Sequence, residues 1–329
     1  MPLPRRRFLL AATCAATPFA LPRFAAAELY PTRPITMVVP FAAGGGTDVL
    51  GRILADGMRV SLGQPVIVEN VAGAAGSIGV ARAVRAPADG YTLSMGTSTS
   101  HVLIGGLYTL PFDLLTDLAP ISELAAEPLL IVIRGSLPAV DLHGFITWLK
   151  ANPDKATAGT AGVGATGHLA GLAFQKMTGT RYQFIPYRGN GPAVQDLIAG
   201  QIDFMIEPSS NFLAQVRAGT IRALAVTANS RSGTAPQIPT VDEAGLPGFY
   251  ASLWFGLWVP RDTPPDIVAK LNAAVVDALA DAKVRARIAD LGPQIVARER
   301  QNPQALAALQ KADIEKWWPI IKAANIRGG

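Results

Sequence analysis

An alternation constrains this chain more than any other feature. Short apolar, β-branched runs take turns with segments of helical period through most of its 329 residues. Ile35–Val39, Val66–Val68, Thr92–Met95, Leu129–Ile133, Phe184–Tyr187, Ile202–Ile206, Ala223–Thr227 and Leu253–Val259 predict strands. They are mostly continuous rather than alternating, as strands covered on both faces are. Leu50, Ile53, Leu54 and Met58 predict a first helix. Leu169, Leu172, Ala173, Lys176 and Met177 predict another, ended by Gly179. A third carries Ile267, Leu271, Val275 and Leu279, with Thr263 as its N-cap and Pro264 at the first helical position. Such a succession builds α/β architecture with largely parallel sheets.

One pattern occurs twice. A strand runs into a Gly/Thr-rich loop and then into a helix at residues 38–48, and again at residues 158–168. A helix start leaves backbone N–H groups unpaired and carries roughly half a positive charge. Glycine lets the chain wrap close to a ligand, and threonine adds hydroxyl donors. A loop of this kind binds an anion without a lysine or arginine. Two of them, one per lobe, predict an anion held between two lobes. Asp48, at the start of the first helix, either caps it or faces the site; the sequence leaves both roles open.

Other chemistries can be weighed on the same residues. Neither loop has the Gly-Lys-Ser/Thr of a P-loop, which excludes an ordinary nucleotide triphosphatase. Gly162, Gly164 and Gly167 do match the dinucleotide fingerprint. The acid expected about 20 residues later for the ribose is replaced by Tyr187-Arg188-Gly189. An exported NADP-dependent oxidoreductase using residues 162–167 is therefore the rival reading, with Arg188 available for a 2′-phosphate. The three histidines, His101, His143 and His168, form no zinc-binding pair, so no metal is expected. Ser98 and His101 lack the Gly-x-Ser-x-Gly elbow of a hydrolase. No catalytic residue and no cofactor is predicted.

The first 27 residues read as a signal peptide: Arg5-Arg6-Arg7, an apolar stretch from Phe8 to Leu21, and Ala25-Ala26-Ala27 before the cleavage point. Twin-arginine and general secretory export both fit. The chain has 29 basic and 24 acidic residues, and Arg5, Arg6, Arg7 and Arg23 lie in the leader, which leaves 25 − 24 = +1. No basic surface for nucleic acid follows. The single cysteine, Cys14, is also in the leader, so the mature chain has no disulfide and no thiol nucleophile.

Tyr30-Pro31-Thr32-Arg33-Pro34-Ile35 followed by Val39-Pro40-Phe41-Ala42-Ala43-Gly44-Gly45-Gly46-Thr47-Asp48 resembles the opening signature of the Bug-type receptors. These are the periplasmic solute-binding proteins of tripartite tricarboxylate transporters. The resemblance continues through Glu69–Gly79, Asp89–Leu93, Gly159–Gly171, Pro186–Ala193, Gly200–Asp203, Arg222–Thr227 and Pro239–Gly245. It covers nearly the whole mature chain, with its motifs in family order.

The resemblance implies a two-lobed type II periplasmic-binding-protein fold. Residues 28–127 plus 252–329 would form a discontinuous lobe 1, and 128–251 lobe 2. It further implies a small carboxylate ligand, a membrane transporter or sensor as partner, a periplasmic monomer, and no enzymatic activity. Carried over by motif, the ligand would meet Phe41, Ala43, Gly44, Thr47, Asp48, Gly76, Ser77, Ser98 and His101 from lobe 1. Gly162, Ala165, Thr166, His168, Tyr187 and Asp203 would come from lobe 2. One departure stands out: Ile104-Gly105 replaces an Asn-Pro common in the family. An Ile104 facing the cleft would make the pocket more apolar and suit an aromatic or alkyl ligand.

Overall fold

The computed structural model describes residues 30–327. The leader and Cys14 lie outside them. In chain order the first elements are β1 (Ile35–Val39), α1 (Gly46–Leu62), β2 (Val66–Asn70), α2 (Ser77–Val84), β3 (Thr92–Thr97) and α3 (Ile104–Leu107). A long strand, β4 (Leu118–Arg134), leads to α4 (Leu142–Ala151), β5 (Thr157–Thr160), α5 (Thr166–Thr178), β6 (Gln183–Pro186) and α6 (Asn190–Ile198). Next come β7 (Phe204–Pro208), α7 (Leu213–Arg217), β8 (Ile221–Val226) and β9 (Ser252–Pro260). The chain ends with α8 (Pro265–Ala280), α9 (Ala282–Leu291), β10 (Gln294–Ile295) and α10 (Pro303–Ala323).

The strand order β2-β1-β3-β9-β4-β7-β5-β6 contains one arrangement twice. In β2-β1-β3-β9, β1 pairs parallel with β2 and β3, and β9 runs antiparallel to β3. In β6-β5-β7-β4, β5 pairs parallel with β6 and β7, and β4 runs antiparallel to β7. The two glycine loops follow β1 and β5, so they hold the same topological place in each lobe. That place, at the C-terminal ends of parallel strands, is where α/β sheets bind ligands.

β4 ties the lobes together. Its first part pairs with β9, from Leu118↔Pro260 to Pro128↔Ser252. From Leu129 on it pairs with β7 and, from Leu130, with β8. The apolar pattern marked only Leu129–Ile133, because the earlier part contains Ser122, Glu123 and Glu127, all buried. Those acids are satisfied rather than excluded. Arg300 grips Glu123 through two hydrogen bonds of 2.9 and 2.6 Å, and Ser209 donates to Glu127 at 3.1 Å.

Among the described residues three apolar clusters form the interior. Leu50, Leu54 and Met58 of α1 pack with Leu271 and Val275 of α8 over Met37 and Met95. Leu130 and Val132 meet Leu197 of α6 and Phe212. The third cluster runs through both lobes, from Val102, Ile104 and Trp258 to Phe145, Phe174 and Phe204, with Leu306, Trp317 and Ile321 of α10. Each such side chain contributes roughly 1.5–3 kcal/mol by leaving water, so one lobe's core supports the other's.

Two boundaries differ from expectation. β7 spans Phe204–Pro208 rather than starting at Ile202, and Asp203 just before it pairs with Arg134 at 2.9 Å. α8 starts at Pro265 with Pro264 as its N-cap, while the Thr263 hydroxyl donates back to Pro260 O at 2.8 Å. Proline without an N–H fits that first turn, where the donor would be unpaired anyway.

Candidate functional site

Each glycine loop is tied by one device. In the first, Gly44 sits at φ +83°, a conformation glycine adopts without strain, and its N–H donates to Asp48 Oδ2 at 2.8 Å. In the second, Gly164 sits at φ +78°, and its N–H donates to His168 Nδ1 at 3.0 Å. In both cases the acceptor is four residues on, inside the first turn of the helix. The loop is thereby folded onto its own helix start.

The two acceptors differ in charge, and the surroundings handle each one. Asp48 is buried, which alone would raise its pKa. Hydrogen bonds from Arg52, Gly44 and Asn70, with the Arg52 charge, outweigh burial and hold it below the usual carboxylate range. Arg52 and Asn70 reach its two oxygens at 3.1 and 2.9 Å. Asn70 also donates to Phe41 O at 3.1 Å, so the end of β2 braces the loop. Asp48 is thus an internal cap, neutralised by Arg52, and not a ligand-facing acid. Burial lowers the pKa of His168, so a neutral imidazole accepts the Gly164 N–H.

Each helix start leaves amides without a partner in the chain. In α1 the first amide taken by the chain is Val49, donating to Gly45 O at 3.0 Å; in α5 it is Leu169, donating to Ala165 O at 3.1 Å. Neither helix has a side-chain N-cap bond. The preceding amides, Gly46 to Asp48 and Thr166 to His168, are the donors without a partner in the chain; Gly46 is exposed, whereas Thr166, Gly167 and His168 are buried. In the first loop Ala43 and Gly44 are exposed and Thr47 is half-buried.

The lobes touch at this point. Thr99 Oγ1, just past β3, lies 3.1 Å from Thr166 Oγ1 at the start of α5. Leu107 stands against Gly164, whose missing Cβ would come within 2.7 Å of it. Gly76 packs equally tightly, 2.8 Å from Ser100 Cβ and 3.3 Å from Pro40 Cβ at a built Cβ position. The start of α2 with Ser77 therefore sits beside the ends of β1 and β3.

Other residues carried over by motif have their side chains engaged within the protein. His101 is fully buried, stacked on Trp258 at 3.9 Å and bonded to Ser94 and Ser100 at 3.1 and 2.9 Å. Burial pushes its pKa down to about 3, so it is a neutral core residue. Asp203 lies at the start of β7, the end of the strand away from the cleft, and also accepts from Thr157 N at 2.9 Å. The Tyr187 hydroxyl donates to Asp196 at 2.6 Å, and burial with that bond raises its pKa to about 12. Ile104 is buried in the shared core and Gly105 lies under the Trp318 ring, which overturns a cleft-facing Ile104.

That turn, a π-helical stretch at Thr99–Leu103, is held from behind by α10. Gln310 donates to His101 O at 2.9 Å, and Trp318 donates to Val102 O at 2.8 Å.

The sequence reading missed the contact of Thr99 with Thr166 and the role of Glu207. Glu207, the last residue but one of β7, is almost completely buried. It accepts from Ala161 N at 3.0 Å, which anchors the second loop. Gly189 N donates to Ala161 O at 3.2 Å, which brings the start of α6 to the same spot. An acid closing an apolar strand was the available signal. A cavity of about 440 Å³ beside the crossing strands, lined by residues such as Arg231, Gln294 and Trp317, contains no residue of either glycine loop.

Two lobes, matched helix starts and a shared crossing strand define a cleft-type binding protein. The model of the tripartite tricarboxylate transporter receptor family matches residues 50–326, and the chain belongs to that family. It is similar to the periplasmic binding protein BugD, with 37% identity, TM-score 0.74, and coverage of 91% of this chain and 99% of BugD. MatC of Rhodopseudomonas palustris, solved with malate, is 36% identical with TM-score 0.75, covering 89% of this chain and 100% of that one. Rpa4515 of the same organism, solved with adipate, is 33% identical with TM-score 0.77, covering 91% and 99%. The two-lobed periplasmic-binding-protein fold implied by the resemblance is the fold observed. Among the described residues no helix is long and apolar enough to cross a membrane.

Proposed function

We propose that this chain captures a small mono- or dicarboxylate between its lobes and passes it on unchanged. The recipient is the membrane part of a tripartite tricarboxylate transporter, or a sensor. The carrying observation is the pair of helix starts with unpaired amides, from α1 and α5, on lobes that meet at Thr99 and Thr166. One carboxylate group accepts from both, so the ligand stabilises the closed arrangement by touching each lobe. Gly44, Thr47, Gly162, Ala165 and Thr166 supply or shape the donors. Phe41, Ala43, Gly76, Ser77 and Ser98 border them, and Asp48 and His168 hold the loops rigid.

The reading includes a lobe division at 28–127 plus 252–329 and 128–251, with β4 and β9 as the crossings. It also includes export through the 1–27 leader to the periplasm, and a monomer. Malate and adipate in two relatives support the ligand class. The test is calorimetry and thermal unfolding with malate, adipate, citrate and benzoate. At a hundredfold excess over Kd a true ligand adds about 2.7 kcal/mol, or roughly 4 °C in Tm for a chain of this length. The acid should be recovered unchanged after prolonged incubation. Stabilisation by NADP and by none of the acids would overturn the reading.

A further inference from the structure

The cavity beside the crossing strands has no part in the carboxylate capture proposed above. Its walls come from either side of the crossing: residues 227–232 just after β8, and β10 with α10. β4 joins them, pairing with β10 through Ala125 and Ala126 and with β8 from Leu130 on. At about 440 Å³ the cavity falls in the size range of small-molecule sites, roughly 300–1,000 Å³.

The walls combine charge with apolar surface. Arg231, Arg300 and Lys316 are the cations, against the single acid Asp313, which accepts from Trp254 Nε1 at 2.6 Å. Both arginines are held from one edge. Arg231 Nε donates to the Glu243 oxygens at 2.8 and 3.1 Å, and its Nη1 to Pro236 O at 2.9 Å. Arg300 uses Nε and Nη2 on Glu123 at 2.9 and 2.6 Å. Arg231 Nη2 and Arg300 Nη1 have no hydrogen-bond partner among the described residues, and both side chains are half exposed. A guanidinium fixed along one edge keeps its remaining N–H groups in a set direction for an anion. Ile295, Leu309 and Trp317 supply the apolar wall, with Lys316 Nζ 4.6 Å over the Trp317 ring.

We infer that this cavity is a second small-molecule site, which takes an organic anion with an aromatic or alkyl body. Its carboxylate or sulfonate meets Arg231 and Arg300, and its body lies against Ile295, Leu309 and Trp317. An occupant touches the loop after β8 together with β10 and α10, as Gln294 already does by donating to Ser232 Oγ at 3.2 Å. It therefore stabilises the arrangement in which Thr99 meets Thr166, so each site raises the affinity of the other. The site itself is independent of the carboxylate-receptor reading; only this coupling rests on it.

The probe is 8-anilinonaphthalene-1-sulfonate, an anion on an aromatic body whose fluorescence rises when it leaves water. Titration of the folded protein should show saturable binding. Arg231→Gln leaves only the exposed Glu243 without its partner and should raise the probe Kd about fivefold or more. Ala297→Trp, at an exposed position on the cavity wall, should do the same by filling the space. Circular dichroism confirms that both variants fold, and without the probe both should bind malate or adipate as the wild type does. Saturating malate or adipate should tighten the probe on the order of fivefold, the lower end of ordinary coupling between sites.

Absence of probe binding, or a probe Kd unchanged in both variants, overturns the second site. Competitive displacement of the probe by malate or adipate also overturns it, because the probe would then sit between the glycine loops; the receptor reading survives all three results. Independent binding of probe and acid overturns the coupling alone. If no acid binds, the receptor reading and the coupling fall together, while the two variants still decide the second site.

Discussion

Glu207 offers a sharp test of how lobe 2 is built. Burial is the main influence on its carboxyl, and the hydrogen bonds from Ala161 N–H and Asn190 only partly offset it, so its pKa is pushed up to about 7 from 4.5. A raised acid pKa means the folded state holds the proton more tightly than the unfolded chain. Its stabilising effect is complete below pH 4.5 and is lost as pH rises through 7. The span is about 2.5 pH units, and at 1.36 kcal/mol per unit it corresponds to about 3 kcal/mol.

Glu207→Gln removes the titration and keeps an acceptor for Ala161 N–H. Urea unfolding of both proteins at pH 5, 6, 7 and 8 reads the effect as a difference between two curves. Glu123, Glu127 and Asp313, which burial also raises, cancel in that difference, as does Asp48, whose pKa is lowered. The variant should match the wild type near pH 5 and exceed it by about 3 kcal/mol at pH 8. Parallel curves across that range would refute the account, since they would mean the carboxylate is as well solvated folded as unfolded.

The remaining predictions concern the loops and the core. Asp48→Ala should weaken carboxylate binding severalfold by freeing Gly44 N–H, at a stability cost of about 1–2 kcal/mol, read by calorimetry and urea unfolding. Thr99→Val and Thr166→Val should each reduce ligand affinity, and the double mutant should fall short of their sum by about 0.5–1.5 kcal/mol because the hydroxyls share one bond. Additive losses would mean that the lobes do not clasp there. His101→Ala should cost about 2–4 kcal/mol of stability through the lost Trp258 stack and serine bonds. The ligand Kd of the folded protein should stay unchanged, and a large rise in Kd would return His101 to the site.

How much of this was legible in the sequence follows from the range of each signal. Strands such as Ile35–Val39 and helices such as α1 announce themselves because burial on a sheet or a helix face imposes a local period. The end of α5 at Gly179 is equally local, a left-handed residue at φ +66°. The front part of β4 was invisible because its buried acids are neutralised by partners 82 to 177 residues away, which leave no mark nearby.

The candidate site divides the same way. The two loops could be read from glycine and threonine beside a helix start. The roles of Asp203, Tyr187 and His101 could not, since each is decided by a contact partner outside its motif. Asp203 meets Arg134, the Tyr187 hydroxyl meets Asp196, and His101 meets Trp258.

From its residues alone the chain determines α/β lobes and two open helix starts able to hold an anion, because helix amides and glycine torsions are properties of short segments. Tertiary structure alone decided that the loops hold equivalent places on lobes that touch, that Asp48 and His168 serve as internal acceptors, and that Glu207 anchors the second loop. Those outcomes depend on which strands pair through β4 and on what burial does to each charge, and neither is encoded within any one stretch of chain.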